Sequence, residues 1–186
     1  MSIPTHARRV WQGTVFSAWQ WEQVLYDGTT TTFEAMSRAD TAHTVGVLPD
    51  GRILLTEDEQ PNRSAVITPA GGVIERHESP AEAAQREFLE ETGYRIGTLI
   101  AWHQYQPSHK IDWTVHAFIG RDLTYETNPQ PEAGEKIRLL VYTFEEFLAL
   151  GFERRLRDLV IRIILLEALL NGQKKAALSK LLYGRR

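Results

Sequence analysis

The sequence of 186 residues contains no cysteine. This absence excludes a disulfide framework, a zinc or iron–sulfur site held by cysteine, and catalysis by a thiol. Any metal-binding or catalytic site must therefore be built from oxygen and nitrogen groups. Internal repeats are also lacking, and the 13 glycines and 8 prolines are scattered along the chain and form no linker. This distribution predicts one compact unit.

Neither sign of charge is in large excess: the chain has 21 Lys and Arg and 24 Asp and Glu, which gives a net charge of −3. This balance argues against polymeric nucleic acid as a partner. The best candidate for a membrane span, 156–170, is shorter than the roughly 20 residues that a span needs and contains four charged side chains. The first 12 residues show no signal-peptide pattern. We expect a soluble cytoplasmic protein with no membrane partner.

Alternating apolar residues and turn signals predict several strands. Asp27-Gly28 and Pro49-Asp50-Gly51 are tight-turn sequences with β-prone residues on both sides. The predicted strands are 14–26, 29–33, 43–48, 52–56, 65–67, 95–104, 113–119 and 137–142.

Capping signals predict the helices. Ser79 and Glu82 form a capping box, Pro80 occupies the first helical position, and Gly93 is a natural C-terminal stop. Thr143 and Glu146 form a second box. The predicted helices are 79–92, 143–149, 153–170 with Asn171-Gly172 as its stop, and 174–182. Helices and strands in this order favour a mixed sheet between helices.

The acidic residues of the first helix carry the strongest chemical signal. Glu87, Glu90 and Glu91 lie within an arc of about 100°. Like charges at this spacing destabilise a helix by roughly 0.2–0.5 kcal/mol per pair, and the helix dipole adds to that cost near the C-terminus. A divalent cation reverses the effect, and clustered carboxylates suit Mg²⁺ or Mn²⁺, which hold phosphates and activate water. The alternative is a solvated acidic helix.

The surroundings of these acids fit a binding site. Arg86 lies one turn from both Glu82 and Glu90 and is expected to hold one of them. The segment 69–72, Pro-Ala-Gly-Gly, predicts a backbone that approaches a ligand closely, with carbonyls available to a metal. An apolar stripe on the helix is expected to pack on a sheet and to leave the acids facing outward. The stripe consists of Ala81, Ala84 and Phe88.

The segment 72–94 resembles the Nudix box, the loop–helix signature GX5EX7REUXEEXGU of the Nudix hydrolases, where U is bulky and apolar. Phe88 and Tyr94 occupy U positions at which Ile, Leu or Val is commoner. The resemblance implies the Nudix fold, an α/β/α sandwich (α/β, or α+β) around a mixed β-sheet, and cleavage of phosphoanhydride bonds. The residues on the fixed positions are Gly72, Glu78, Arg86, Glu87, Glu90, Glu91 and Gly93.

A weaker resemblance, to the ADP-ribose pyrophosphatase or nucleoside diphosphate sugar hydrolase branch, extends over most of the chain. It implies an N-terminal antiparallel β arm at 1–38 through which two copies form a homodimer. The Nudix hydrolase domain, with the C-terminal helices, is then 39–186. Pro107 matches a proline beyond the box that marks the substrate in this branch. Ile67 and Thr68 stand where many members carry a base-recognising glutamate, so the resemblance leaves the base unassigned.

The resemblance also implies roles for single residues. Glu87, Glu90, Glu91 and the carbonyl of Ala70 are expected to hold Mg²⁺, with Mn²⁺ as a substitute. Arg86 joins the catalytic group, and the backbone of Gly72 approaches the substrate.

A glutamate in the loop before the last strand is implied as the general base. Glu132 and Glu135 both fit that place. Glu135 is favoured, because 134–137 best resembles the entry from loop to strand in this family.

Two tryptophans and one arginine are further candidates for substrate binding. Trp19 and Trp21 lie two apart on a predicted strand, so they project to one face and are candidates to stack a nucleobase across a dimer interface. The alternative is packing in the core or at an interface. Arg63 is a candidate for binding a phosphate, and the alternative is an ordinary exposed arginine. The histidines show no zinc-like spacing.

The expected function is Mg²⁺-dependent hydrolysis of ADP-ribose, or of a related nucleoside diphosphate sugar, to a nucleoside monophosphate and a sugar phosphate. The partners are then this small molecule and a second copy of the chain. Two alternatives stay open. One is a Nudix hydrolase of another nucleotide, such as GDP-mannose, a dinucleoside polyphosphate or a damaged nucleoside triphosphate. The other is a Nudix-fold ligand sensor without catalysis.

Overall fold

A computed structural model describes residues 3–131 and 134–184. Within these ranges four α-helices and three sheets form. The helices are α1 (Pro80–Thr92), α2 (Phe144–Ala149), α3 (Leu159–Leu170) and α4 (Gly172–Tyr183). The strands are β1 (Arg8–Gln12), β2 (Ser17–Val24), β3 (Thr30–Ser37), β4 (Thr41–Val47), β5 (Ile53–Glu59), β6 (Val66–Thr68), β7 (Ala70–Val73), β8 (Tyr94–Arg95), β9 (Thr98–Tyr105), β10 (Ile111–Asp112), β11 (Val115–Arg121), β12 (Thr124–Tyr125) and β13 (Lys136–Tyr142).

The central sheet is mixed and lies between helices. Its order is β13-β5-β4-β11-β9, with β6 added to β5 and β7 added to β4. β11 runs parallel to β4, whereas the other pairings are antiparallel. Adjacent residues on a strand face opposite sides. Leu55 accordingly packs in the cluster that contains the apolar faces of α3 and α4, whereas Leu54 packs with Phe88 of α1. The α/β/α sandwich is confirmed.

The N-terminal residues form a second sheet. β1, β2 and β3 pair in antiparallel order, and β10 adds to β3 in parallel with Ile111 opposite Met36. The antiparallel arm predicted from the sequence is therefore present. Because β10 follows α1 in the chain, this pairing joins the N-terminal sheet to the rest of the fold.

Several predicted elements differ from those of the structure. α3 begins at Leu159, not at Glu153, because Asp158 caps it after a 3₁₀ turn at Leu150–Phe152. The predicted strand 95–104 divides into β8 and β9 at 96–97. The segment 69–72, for which no strand was predicted, largely pairs with β4 as β7. No helix in the described part of the chain is both long and apolar enough to span a membrane.

Candidate active site

Helix α1 is fixed at both ends by the predicted caps. The Ser79 hydroxyl accepts a hydrogen bond from the Glu82 amide at 3.3 Å, and the Glu82 carboxylate accepts one from the Ser79 amide at 2.7 Å. Gly93 ends the helix in the left-handed conformation with φ 76°. These caps set the orientation in which the acidic residues of α1 meet the central sheet.

Arg86 binds several oxygens of the box at once. Its Nε and Nη2 donate to the two carboxylate oxygens of Glu78 at 2.9 and 3.0 Å. Its Nη1 donates to Glu87 at 2.9 Å and to Glu90 at 3.1 Å. The predicted contact with Glu90 is confirmed. The alternative contact with Glu82 does not form, because that carboxylate is engaged in the capping box. Arg86 is therefore a positioning residue for the acidic side chains.

Glu91 is buried, and the expectation that the acids of α1 all face outward is wrong for it. Only 7% of this residue is exposed. It follows Ala84 and Phe88 by seven and three positions, which places it on the stripe that packs against the sheet. The Gly71 amide donates to Glu91 Oε2 at 3.2 Å. Burial raises the pKa of Glu91 to about 9, and the negative charges of neighbouring acids add to this effect. Those acids are Glu87, Glu135 and Asp58.

Two glycines of β7 allow this close packing. Gly71 has φ 154°, and a Cβ there would lie 2.1 Å from the Ala42 carbonyl oxygen. A Cβ on Gly72 would lie 2.6 Å from Glu87 Oε1. Side chains at these positions would therefore collide with β4 or with a carboxylate of the box. The backbone of β7 lies directly against the carboxylates of Glu87 and Glu91.

Ala70 is buried and pairs with Thr44 on β4. Its carbonyl belongs to the same planar trans peptide as the Gly71 amide, so the two groups point in opposite directions. Since the amide donates to Glu91, the Ala70 carbonyl points away from that carboxylate. In this conformation the carbonyl and Glu91 do not face a common point, and the role of Ala70 as a metal ligand stays a prediction.

Glu91 and the three acids that act on it, Glu87, Glu135 and Asp58, are called the acidic group below. The sequence analysis missed one of them, Asp58. Gln60 Nε2 donates to Asp58 Oδ2 at 3.2 Å and to Glu135 Oε1 at 3.4 Å, so it joins β5 to the start of β13. Asp58 Oδ1 is buried without a hydrogen-bond partner in the described part of the chain. Burial raises the pKa of Asp58. Successive side chains of β5 point to opposite faces of the sheet, which puts Asp58 on the same face as Leu54. This alternation is the sequence signal that would have predicted the position of Asp58.

The structure brings Glu135 to the acidic group, as its effect on Glu91 shows. The competing candidate for the base, Glu132, lies outside the described residues.

Among residues 3–131 and 134–184, no three His, Asp or Glu side chains converge as a ready-made metal site. Three hydrogen bonds hold these carboxylates in other directions: Arg86 donates to Glu87 and to Glu90, and the Gly71 amide donates to Glu91. The donor set nevertheless fits a hard divalent cation, because all of its side-chain donors are carboxylate oxygens. The pKa of Glu91 is raised by burial and also by the negative charges of Glu87, Glu135 and Asp58, and a cation bound there would stabilise this group of acids.

The structure places the predicted substrate residues Arg63 and Pro107 in two different loops. Arg63 is exposed, its charge lowers the pKa of Asp58, and together with Glu135 it lines a cavity of about 560 Å³. Pro107 is exposed in the loop between β9 and β10. A larger cavity, of about 770 Å³, is lined by residues of the 50–52 turn and of α4 and by none of the predicted site residues.

The two tryptophans lie on β2 in the N-terminal sheet. Trp19 Nε1 donates to Ser37 Oγ at 2.8 Å, and the guanidinium of Arg9 lies 5.8 Å from the Trp19 ring centre. Trp21 is only 6% exposed and makes an edge contact with Phe33. Its burial supports the packing interpretation for Trp21, so Trp19 is the member of the pair with surface left for a ligand or a partner.

Comparison with known proteins agrees with this geometry. A curated relative, the ADP-ribose pyrophosphatase of Bacillus subtilis (strain 168), is 24% identical over 173 residues, which are 89% of this chain and 94% of the relative. A solved structure described as an ADP compounds hydrolase superposes with a TM-score of 0.74 at 19% identity, over 91% of this chain and 94% of the other. The family profile described as NUDIX domain matches residues 38–162. This match covers more than half of the sequence, and the chain therefore belongs to the Nudix family.

Proposed function

We propose that this chain is a Mg²⁺-dependent Nudix pyrophosphohydrolase that cleaves the diphosphate of ADP-ribose or of a related nucleoside diphosphate sugar. The products are a nucleoside monophosphate and a sugar phosphate. The observation that carries the proposal is the packing of Glu87 and Glu91 against the glycines of β7, with Asp58 and Glu135 close enough to act on Glu91. The relationship to an ADP-ribose pyrophosphatase supports the choice of substrate class.

Glu87, Glu90 and Glu91 are the residues that would hold the cation, with Mn²⁺ as a possible substitute for Mg²⁺. When bound, such a cation neutralises charge on the diphosphate and lowers the pKa of water. Arg86 keeps Glu87 and Glu90 close to each other in the absence of the metal. The glycines at 71 and 72 let a phosphate approach the backbone without a side chain in between.

Glu135 is the proposed general base. Gln60 orients its carboxylate through the hydrogen bond at 3.4 Å, and Gln60 also holds Asp58. A general base must lie within hydrogen-bond reach of the water that it deprotonates. The position of Glu135 beside the cavity lined by Arg63 supports this role, because a phosphate bound by Arg63 would lie next to the base.

A panel of substrates tests the proposal. Product release would be followed with ADP-ribose, GDP-mannose, a dinucleoside polyphosphate and an oxidised nucleoside triphosphate, each with Mg²⁺, Mn²⁺ or EDTA. We expect cleavage of ADP-ribose or another nucleoside diphosphate sugar with metal and none with EDTA. Glu91→Gln should lose most of the turnover, whereas Glu145→Gln, at an exposed glutamate of α2, should retain it.

The outcomes separate the alternatives. Preferential cleavage of the polyphosphate or of the oxidised triphosphate would identify a Nudix hydrolase of another nucleotide. Binding without turnover in any condition would identify a ligand sensor. Near-normal activity of Glu91→Gln would refute the metal ligands proposed here.

We also propose that two copies pair through the N-terminal sheet. β1 is an edge strand of that sheet, and all five of its residues are exposed, including Val10 at 41% and Trp11 at 54%. An exposed edge strand with apolar side chains favours association with another chain. Light scattering coupled to size exclusion tests this proposal, and a monomer at micromolar concentration would refute it.

A further inference from the structure

Arg157 lies in a short segment whose backbone is fixed on both sides. Its amide donates to the Ile67 carbonyl of β6 at 3.0 Å, and Leu156 forms a bridge with the same residue. On the other side, Asp158 caps α3 and accepts a hydrogen bond from the Tyr105 hydroxyl. The side chain of Arg157 is exposed and makes no ion pair or hydrogen bond with any residue that the structure describes. The segment thus presents a positive charge at a defined position.

Arg38 is a second arginine without a carboxylate partner within the described ranges. It follows β3, and its guanidinium lies 4.7 Å from the ring centre of Trp113 and 5.6 Å from that of Phe16. Its Nε is 3.4 Å from the Ala39 carbonyl. These contacts hold the guanidinium in a partly buried position, where its charge is less well solvated than on the surface.

Arg38 and Arg157 are close enough for the charge of Arg157 to lower the pKa of Arg38. Burial lowers the pKa of Arg38, and the positive charge of Arg157 lowers it further. The carboxylate of Asp158 also acts on His43, as both arginines do, so it offsets part of their mutual repulsion. A bound anion would offset the rest. Arginine is well suited to that anion, because its planar donors match the oxygens of a phosphate.

Arg157 also lies near the acidic group. Its charge lowers the pKa of Asp58 and that of His43, so it lies near both side chains. His43 is paired with Gly71 in the register of β4 and β7, and its imidazole is hydrogen-bonded to the Pro69 carbonyl. The arginines are therefore next to the strand whose glycines contact Glu87 and Glu91. His43 itself is neutral at pH 7, because burial lowers its pKa to about 4.

We propose that Arg38 and Arg157 form a phosphate-binding subsite, outside the Nudix box, that holds the diphosphate of the substrate beside β7. This inference rests on the proposed function for the identity of the ligand as a nucleoside diphosphate derivative. Arg157 binds one phosphate from the fixed segment before α3. Arg38 binds from the end of the N-terminal sheet, where Trp113 and Phe16 keep its guanidinium in place. The subsite thus links the N-terminal sheet to the catalytic part of the chain.

Equilibrium binding of ADP-ribose in EDTA tests the subsite without metal or turnover. Arg157→Gln should weaken binding by about tenfold or more, which is the loss expected for one hydrogen bond between charged groups. Arg38→Lys keeps the charge but loses the planar donors and the stacking, so it should also weaken binding. The matched control is Arg154→Gln, an exposed arginine three residues before Arg157 that has no ion pair with a described residue. The control should bind as the unmodified chain does.

The result that overturns the proposal is equal affinity for Arg157→Gln, Arg38→Lys and Arg154→Gln. A lack of measurable binding by the unmodified chain at millimolar ADP-ribose would also overturn it. Arg157 is exposed, so its variant should fold, and a thermal melt checks this directly.

Turnover of the unmodified chain with Mg²⁺ separates the two proposals. If ADP-ribose binds but is not cleaved, the proposed hydrolysis of ADP-ribose fails, and the comparison of arginine variants still decides the subsite. If cleavage occurs and the variants show an unchanged KM, the subsite fails and the hydrolase stands. Support for both requires a KM raised about tenfold or more in Arg157→Gln, with a smaller change in kcat.

Discussion

Replacement of Glu91 by glutamine should stabilise the metal-free protein while abolishing its activity. In the fold this carboxyl has a pKa of about 9, against an ordinary value of 4.5, chiefly because it is buried. At pH 7 the unfolded chain has released the proton that the folded chain retains. Stability therefore falls as pH rises from 4.5 toward 9. Each pH unit in that range costs about 1.4 kcal/mol, so the cost at pH 7 is about 3 kcal/mol.

Glutamine has the same shape, and its oxygen can still accept the hydrogen bond from the Gly71 amide, but it never ionises. Glu91→Gln in EDTA at pH 7 should therefore unfold about 5–10 °C higher than the unmodified chain, as expected for a gain of this size in a domain of this length. Its unfolding free energy should also lose most of the decline between pH 5 and pH 9. Calorimetry or urea titration at several pH values measures both effects, and Glu145→Gln serves as the exposed control. A variant that is less stable than the unmodified chain at pH 7 would refute the reasoning.

Three further predictions concern other residues of the site. Gly72→Ala should fold but lose activity by about tenfold or more, because its Cβ would displace the Glu87 carboxylate; steady-state kinetics with a circular dichroism control checks this. Arg86→Lys should lower kcat, because an ammonium cannot reproduce the two-pronged contact with Glu78; unchanged kcat would contradict its positioning role. His43 has its pKa lowered to about 4 by burial, so its contribution to stability is complete above pH 6.5 and is lost toward pH 4. His43→Gln should remove up to about 3 kcal/mol of that pH dependence in urea titrations, and equal slopes for the two proteins would contradict it.

The sequence predicted α1 almost completely because its signals are local. The capping box, the proline at its first position and Gly93 act within one turn of the chain, and each is present as predicted. The start of α3 was wrong for a physical reason. The sequence predicted a helix from Glu153, whereas Leu156 is used in a bridge to β6, a partner about 90 residues away in sequence. Tertiary pairing overrides local propensity in such cases.

The candidate site was predictable where it depends on the spacing within α1 and unpredictable where it depends on pairing between strands. Arg86 and Glu90 are one turn apart on the same helix, so their contact follows from the i, i+4 rule, whereas the contact of Arg86 with the adjacent Glu87 does not follow from that rule. Asp58 reaches the same region only because β5 and β13 are adjacent and Gln60 bridges them. The burial of Glu91 could have been predicted from its position on the same apolar stripe of α1 as Ala84 and Phe88. The acidic residues near it in the sequence instead led to the prediction that its side chain is exposed.

Charges of opposite sign are arranged in two adjoining groups around β7. On one side, Glu91 is buried and Asp58 is partly buried, and burial raises the pKa of both acids, so this side favours a cation. On the other side, Arg157 and Arg38 are cations without carboxylate partners in the described part of the chain, so this side favours an anion. A diphosphate with a divalent cation carries both kinds of charge and would satisfy both groups at once, whereas either ion alone would satisfy only one. This complementarity predicts that Mg²⁺ and ADP-ribose each strengthen the binding of the other, by equal factors as linkage requires. Titration of ADP-ribose into Glu91→Gln, with and without Mg²⁺, should show that coupling reduced, and full coupling in this variant would place the metal elsewhere.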